Sequence, residues 1–532
     1  MTRLLVAGPA IVMHRNVSGS ALVHRFRNAV PTGMSMEIPD FKAAPGERLA
    51  CSYTASAWLH RGHRPAEVSH TTWMPRRRRL LSALQFFPRG GSSHVARALA
   101  LELPSFGWDV TVVSGSRTDL EEFGDASDFY AGLDVHPVSF DAALGSIDPL
   151  DPPPGAAPMH PSYEDRPGAP DRVFAALDDD AYERQVTAWA SALTAAGAAR
   201  VDALHLHHLT PIHEAAFRVA PRVPVIGHLH GTELLMLEAI AKGPLSTWTH
   251  AEAWVDRMRR WARRCVRLIV LSPSQLQRAE LLLGLEADRL VILPNGFDPH
   301  AFVRQDVDRL SFFRDALVEA PRGWRAGQHP GSVRYAAEDL LPLVDGVVVV
   351  TVSRFTAVKR LPLLIEAFAQ AHDRARQPAS LMIVGGHPGE WEGEHPADTT
   401  ARLGVRGVFL AGWRDHLEVP SFLSVADVFA LASVREQFGL VLVEAMACEV
   451  PVVAVDRFGP GEIVTDGETG WLVEPDDVGG LAAALLHAID DPVERARRGA
   501  RARAVAVERY GWPGVARRLA DVLDAAVAGP RR

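Results

Sequence analysis

From about residue 80 the chain repeats one pattern: a short apolar run of strand length, a glycine-rich or polar turn, then apolar positions at helical spacing. Leu80–Phe87 reads as the first strand, Arg89-Gly90-Gly91-Ser92-Ser93 as a turn, His94–Leu103 as a helix and Asp109–Ser114 as the next strand. Together they make a β-α-β unit. Ala203–His207, Val223–Leu229, Leu268–Leu271 and Leu290–Leu293 continue the strands, with helical stretches between them. This alternation predicts a doubly wound α/β domain. Pro149–Pro170 holds eight prolines in 22 residues and predicts an extended loop.

A second series begins near residue 345. Val347–Val352 is a continuous run of mostly β-branched residues, as expected of a strand covered on both faces. The helix Leu361–Ala371, the strands Ser380–Val384, Val408–Leu410 and Val428–Leu431, the helix Val441–Ala447 and the strand Pro451–Val455 follow, before a long Ala/Arg-rich helical tail. The expected architecture is two facing Rossmann-like domains with a cleft between the carboxyl ends of their strands, where an α/β ligand sits. Residues 74–325 form the first domain, 326–344 a connector within the weakly periodic stretch 304–344, and 345–510 the second domain. Residues 511–532 form a last helix expected to pack back toward the first domain.

Residues 1–73 show no sustained period and carry 8 Lys/Arg against 4 Asp/Glu, net +4, while the remainder carries 48 against 60, net −12. Met74 is followed by Pro75 and four arginines and then the first strand. The expectation is that 1–73 stands outside the fold, as a disordered or spurious extension, with Met74 as the start of the working chain.

Over all 532 residues, 47% are hydrophobic and 23% charged, with a formal charge of −8. These values exclude wholesale disorder and a globally basic nucleic-acid binder. Three scattered cysteines (Cys51, Cys265, Cys448) cannot build a disulfide framework and suit a reducing, cytoplasmic setting. No apolar run reaches the roughly 20 residues of a membrane-spanning helix. The arginines around Arg257–Arg267 leave peripheral membrane contact open, although a solvated face is the plainer reading. Cations are almost all arginine: 53 Arg stand against 3 Lys, and there are 3 Asn in the whole chain. Lys359 and Asn295, kept against that bias, are better candidates for a specific task than their types alone suggest.

Arg354 and Lys359 follow the buried run Val347–Val352, and two cations at a strand's carboxyl end can converge on one multiply charged anion. A solvated basic turn is the plain alternative. Farther on, Arg435-Glu436-Gln437-Phe438-Gly439-Leu440 leads into an apolar helix, whose first amides favour an anion. Glu444, set among apolar neighbours, can accept bonds from sugar hydroxyls.

Through these two segments the chain resembles the large retaining glycosyltransferase family 4, of GT-B architecture. Ser353-Arg354-Phe355 followed by Lys359-Arg360 is similar to that family's phosphate-binding motif, and Glu436 and Glu444, separated by seven residues, to its E-x7-E motif. Gly90-Gly91, His230-Gly231-Thr232, Pro294-Asn295-Gly296-Phe297-Asp298, Ala432-Ser433 and Gly467-Glu468-Thr469-Gly470 match in family order. The chain departs at Phe458-Gly459-Pro460-Gly461-Glu462, where many members begin with Gly-Gly. The resemblance implies that Arg354 and Lys359 hold the diphosphate of a nucleotide-sugar donor and that Glu444 bonds the ribose. It also implies that Glu436, with the amides of Phe438, Gly439 and Leu440, contacts the sugar and its phosphate. His230 would face the reacting carbon, and Gly90 and Gly91 would let the backbone near the phosphates. No cofactor or metal is expected beyond this donor; the acceptor is unnamed, and no nucleic-acid partner is expected. Alternatives within the architecture are a sugar-nucleotide epimerase, a phosphorylase or a noncatalytic nucleotide-sugar binder.

Two metal readings are weaker. His213-Glu214-Ala215-Ala216 has Phe217 where a zinc-protease motif needs its second histidine. His205 and His207 share a strand face, which allows two ligands, although cleft-edge histidines in a sugar site are the preferred reading. Asp178-Asp179-Asp180 reads as the acidic start of a helix.

Overall fold

The structure, a computed structural model, describes residues 77–87, 91–119, 124–164 and 171–529. The 1–73 segment, Gly90 and residues 165–170 of the proline-rich loop lie outside these.

Two parallel sheets form the molecule. The first contains β1 (Arg78–Leu84), β2 (Trp108–Ser116), β3 (Asp134–Ser139), β4 (Ala203–His207), β5 (Val225–His228), β6 (Arg267–Val270) and β7 (Leu290–Ile292), in the order β3-β2-β1-β4-β5-β6-β7. The second contains β8 (Val347–Ser353), β9 (Ala379–Gly385), β10 (Val408–Gly412), β11 (Val428–Leu431), β12 (Val452–Val455) and β13 (Gly470–Val473), in the order β10-β9-β8-β11-β12-β13. Helices that shape the site are α1 (Gly91–Glu102), α2 (Asp179–Ala195), α3 (Thr232–Lys242), α4 (Pro273–Leu283), α5 (Leu361–His372), α6 (Leu440–Ala447), α7 (Pro492–Tyr510) and α8 (Trp512–Ala528).

The side-chain period of two explains how one strand serves two cores. In β8, Val348 and Val350 join one apolar cluster while Val347 and Val349 join the cluster on the opposite face. In β1, Leu81 and Ala83 face one way and Leu80 the other. The strands absent from the sequence reading, β3 and β13, are sheet edges. β3 carries Pro137, which an edge tolerates, and only Val138 is buried along it, so it offers no continuous apolar run.

The structure corrects the domain boundary. Residues 304–344 are not a free connector: Phe313, Leu317, Leu340 and Leu343 lie in one core of the second domain, and Trp324 and Val333 in the other. Phe297 and Phe302 already belong to that domain, whereas Leu293 belongs to the first. The crossing therefore falls at 294–297, not at 325. The helical pieces after the crossing, over 309–319 and 337–345, are short and of mixed type, so they leave little period for a sequence reading to detect.

The chain crosses back at Gly511. α7 contributes Ala502, Val505 and Tyr510 to the second domain, whereas α8 places Trp512, Val515, Leu519 and Leu523 against β1, α1 and Trp108 of the first. The two crossings run side by side. Phe297 N donates to the Tyr510 carbonyl at 2.9 Å, and Trp512 N donates to the Phe297 carbonyl at 3.0 Å. A Cβ on Gly296 would sit 2.7 Å from the Tyr510 oxygen, so the close approach requires glycine. Asn295 is buried beside this crossover.

The described part of the proline-rich loop packs on the first domain. Leu150, Met159 and Tyr163 are buried in its core, and the Tyr163 hydroxyl donates to the Leu209 carbonyl at 2.7 Å. Asp178 caps α2 by accepting from Ala181 N at 2.8 Å, in keeping with the acidic-start reading. Arg257 is buried over the Tyr182 ring at 3.9 Å and pairs with Asp179, and Arg264 covers the Phe217 ring at 3.9 Å. Both arginines thus pack on their own domain through these rings.

Candidate functional site

Each sheet order reverses at its central pair, β1/β4 in the first and β8/β11 in the second, and such switch points open the crevice in which α/β proteins hold ligands. The sequence candidates follow these strands. Gly91 comes after β1, Arg354 and Lys359 after β8, and Glu436 to Leu440 after β11. His230 lies two residues beyond β5.

In the second domain, Val434 N donates to the Val358 carbonyl at 3.0 Å, joining the loops that follow β11 and β8. Lys359 Nζ and Glu436 Oε2 form a partly buried ion pair. Arg354 is exposed and pairs with no acid among the described residues, so the lysine, and not the arginine, is drawn to the glutamate. Gly439 takes φ +97° as α6 begins, and the first amides of that helix have no partner within it. Phe438 is anchored in the core against Tyr510, with ring centroids 5.8 Å apart. Gly459 fits beneath this turn: its N donates to the Glu436 carbonyl at 3.1 Å, and a Cβ there would meet the Phe438 oxygen at 2.1 Å. Phe458, where the chain departs from the family pattern, has φ +52°, a region that glycine occupies without strain. Its ring lies 5.3 Å from the Arg278 guanidinium and 4.9 Å from that of Arg457.

Glu444 is buried and accepts from His416 Nε2 at 2.8 Å. Burial pulls the His416 pKa down, but the hydrogen bond and charge of Glu444, with Asp298 beyond, outweigh it and hold the imidazole above the ordinary histidine value. His94 of α1 faces it from the other domain, ring centroids 5.5 Å apart, and burial, with His416 and Arg97, lowers His94 to about 4. Neutral His94 and charged His416 can therefore lie side by side.

The first domain closes the other wall. A Cβ on Gly91 would lie 3.3 Å from Leu440 Cδ1, so the starts of α1 and α6 meet. Gly231, at the start of α3, has φ +95°, and a Cβ there would lie 2.7 Å from Gln437 Oε1. From α4, Gln275 Nε2 donates to the Gln437 carbonyl at 3.2 Å, Arg278 to Gln437 Oε1 at 3.0 Å, and Ser274 N to Glu462 Oε1 at 2.8 Å. His230 stacks on His228 (centroids 4.7 Å, 13° between planes), and burial holds its pKa well below the ordinary value. Its backbone N donates to the Glu233 carboxylate at 3.2 Å.

Sequence reasoning missed His416, His94, Gln437 and Arg278. Gln437 meets Gln275 and Arg278 across the cleft, more than 150 residues apart in sequence, His94 meets His416 across it, and His416 meets Glu444 within the second domain; no local spacing signals such contacts.

Two facing Rossmann-like domains, each with its switch point at the cleft, define the GT-B architecture. The model described as Glycosyl transferases group 1 matches residues 338–505, and that described as Glycosyltransferase Family 4 matches residues 89–301. Glycogen synthase of Mycobacterium tuberculosis is 30% identical over 335 residues, 63% of this chain and 71% of that enzyme. The alpha-D-kanosaminyltransferase of Streptomyces kanamyceticus is 30% identical over 310 residues, 56% of this chain and 70% of its own length. The chain belongs to the family 4 glycosyltransferases and is a glycosyltransferase. The architecture is shared with Anabaena HepE, solved with UDP and glucose (TM-score 0.57, 20% identity, 84% of this chain and 100% of that one). It is shared also with sucrose-phosphate synthase of Thermosynechococcus elongatus (TM-score 0.56, 19% identity, 84% and 98%). Among the described residues no helix is long and apolar enough to cross a membrane.

Proposed function

We propose that this enzyme moves a hexose-type sugar from a nucleoside-diphosphate sugar to an acceptor with retention of anomeric configuration, without a metal ion in the chemical step. One observation carries the reading: Lys359, Glu436 and the open start of α6 lie together at the β8/β11 switch point, with Gly91 of the first domain against Leu440. The glycine brings backbone, and no side chain, to that point. Support for a nucleotide-sugar donor comes also from HepE, whose structures hold UDP and UDP-glucose.

In this proposal Arg354 and Lys359 hold the diphosphate, and Glu444, oriented by His416, accepts from the ribose hydroxyls. Glu436, with the amides of Phe438, Gly439 and Leu440, contacts the sugar and its phosphate. His230 stands at the reacting face, and Gly90-Gly91 admits the phosphates. The C1–oxygen bond to the β-phosphate breaks, and the acceptor oxygen bonds to C1 from the same face. The acceptor's proton passes to the departing phosphate oxygen. Negative charge grows on that phosphate as the bond breaks, and fixed cations and amides already in place stabilise it without reorganising. Closure of the cleft supplies proximity.

The test is incubation with each nucleotide-sugar and a pool of acceptors, read by mass spectrometry and by NMR of the new anomeric centre. A gain of one sugar with the donor's configuration is expected. An inverted product would overturn retention. Acceptor-free conversion of the donor to another sugar nucleotide, or to a sugar 1-phosphate with inorganic phosphate, would establish the epimerase or phosphorylase reading instead.

A further inference from the structure

Next to His230 lies a group of chemically capable side chains to which the proposed sugar site assigns no role. Along β4 the period of two puts His205 and His207 on the same face, and the strand registers pair Ser82 with His205 and His207 with His228. Three imidazoles from adjacent strands are thereby stacked on one side of the first sheet. His205, His207 and His228 are each 1% exposed or less. His205 Nε2 lies 3.1 Å from His228 Nδ1, and the His205 and His207 ring centroids are 4.4 Å apart. One ligating nitrogen from each of the three lies within 4.8 Å of the other two.

Hydrogen bonding among the rings does not account for the group. A neutral imidazole has one donor and one acceptor nitrogen. The His205–His228 contact, the His207 Nδ1–His230 Nε2 contact of 3.0 Å and the His207 Nε2–Ser82 Oγ contact of 3.3 Å satisfy most of them. His228 Nε2 is left buried without a hydrogen-bond partner among the described residues. Leaving such a group unsatisfied is costly, and hydrophobic residues of similar size could fill the space without that cost. A cation bound by the ring nitrogens would account for imidazoles at all three positions.

We infer that His205, His207 and His228 form a binding site for one divalent d-block cation of the zinc class, joining β4 to β5 beneath the cleft. All-imidazole donor sets suit zinc, cobalt, nickel and copper, not magnesium or calcium. With zinc–nitrogen bonds of about 2.05 Å, tetrahedral ligands stand about 3.4 Å apart, so a spread of up to 4.8 Å closes with nitrogen movements of about 1 Å. The zinc-protease fragment is not part of this site: His213 approaches Gly227, whose side of β5 is opposite to that of His228. Through the His207–His230 contact, the bound ion would fix the ring proposed to stand at the sugar's reacting face.

The test uses the untagged full chain, stripped with a chelator and titrated with Co²⁺ alone. The visible absorption of a tetrahedral, nitrogen-ligated Co²⁺ is expected to saturate at one equivalent and to vanish on addition of Zn²⁺. Paramagnetically shifted imidazole resonances from three histidines are expected in the same sample, a readout that requires no variant. H205Q and H228Q, folded by near-ultraviolet circular dichroism, are each expected to lose the signal at least tenfold. The inference is overturned by absence of stoichiometric Co²⁺, by a weak octahedral spectrum, or by an unchanged spectrum in folded H228Q. Because the readout is the metal's own spectrum, failure here leaves the donor-site reading standing, and failure of that reading leaves this one standing.

Discussion

At the residue scale, the Lys359–Glu436 pair and the His416–Glu444 pair do different things. Lys359 is one of only two lysines after residue 73, and the fold brings it to the one glutamate ahead of α6. Replacing it with alanine should lower kcat by about 10²–10³-fold, the scale of losing one donor to a developing oxyanion. Steady-state rates with a saturating donor check this, and a change under about threefold would remove Lys359 from the phosphate. His416 makes a pH prediction. Its folded-state pKa is raised above the unfolded value of about 6.5, so its contribution to stability is complete below that value. The contribution is lost as pH rises through the raised value. In His416→Gln this fall should disappear, so that the melting difference from wild type narrows on going from about pH 6 upward. A difference independent of pH would show that the imidazole does not titrate in contact with Glu444. Lys359 stood out by composition, Glu444 by its apolar neighbours and the Glu436–Glu444 pair by the family resemblance, whereas His416 lies in a polar loop after β10 and owes its position to tertiary contact.

At the element scale, the strands of each sheet's interior could be read because burial on both faces demands unbroken apolar runs, as in β8. The edge strand β3 escaped because it is broken by Pro137 and buries only Val138, and β13 because its four residues, Gly470–Val473, are too short a run to stand out. The start of α6 shows an element held by backbone packing that no side-chain pattern reveals. Gly459 is pressed against the Phe438 carbonyl, so even a methyl group forces the turn to move. Gly459→Ala should cost about 1–3 kcal/mol of stability, the range for overpacking, and should weaken donor binding as well. Chemical denaturation and a donor titration on the same preparation check both. A variant as stable as wild type and with unchanged affinity would mean that the turn yields freely.

At the scale of the whole molecule, the two crossings at 294–297 and 510–512 govern how the domains are joined, and Asn295, the lone asparagine after residue 73, lies in the first of them. Helix α8, last in the chain, completes the core of the first domain. Leu519 is fully buried there, so Leu519→Ala should destabilise by about 2–5 kcal/mol, where an exposed tail would tolerate it within about 0.5 kcal/mol. At the cleft itself, the β8/β11 switch point is proposed to hold a nucleoside diphosphate. The most direct measurement is thermal shift of the full chain against UDP, GDP and ADP and their sugar conjugates, repeated with Arg354→Ala and Lys359→Ala. One nucleotide series should stand out, worth roughly 2.7 kcal/mol at a hundred times its dissociation constant, and should fade in both variants. No shift with any nucleotide, or an equal shift in wild type and both variants, would contradict the claim.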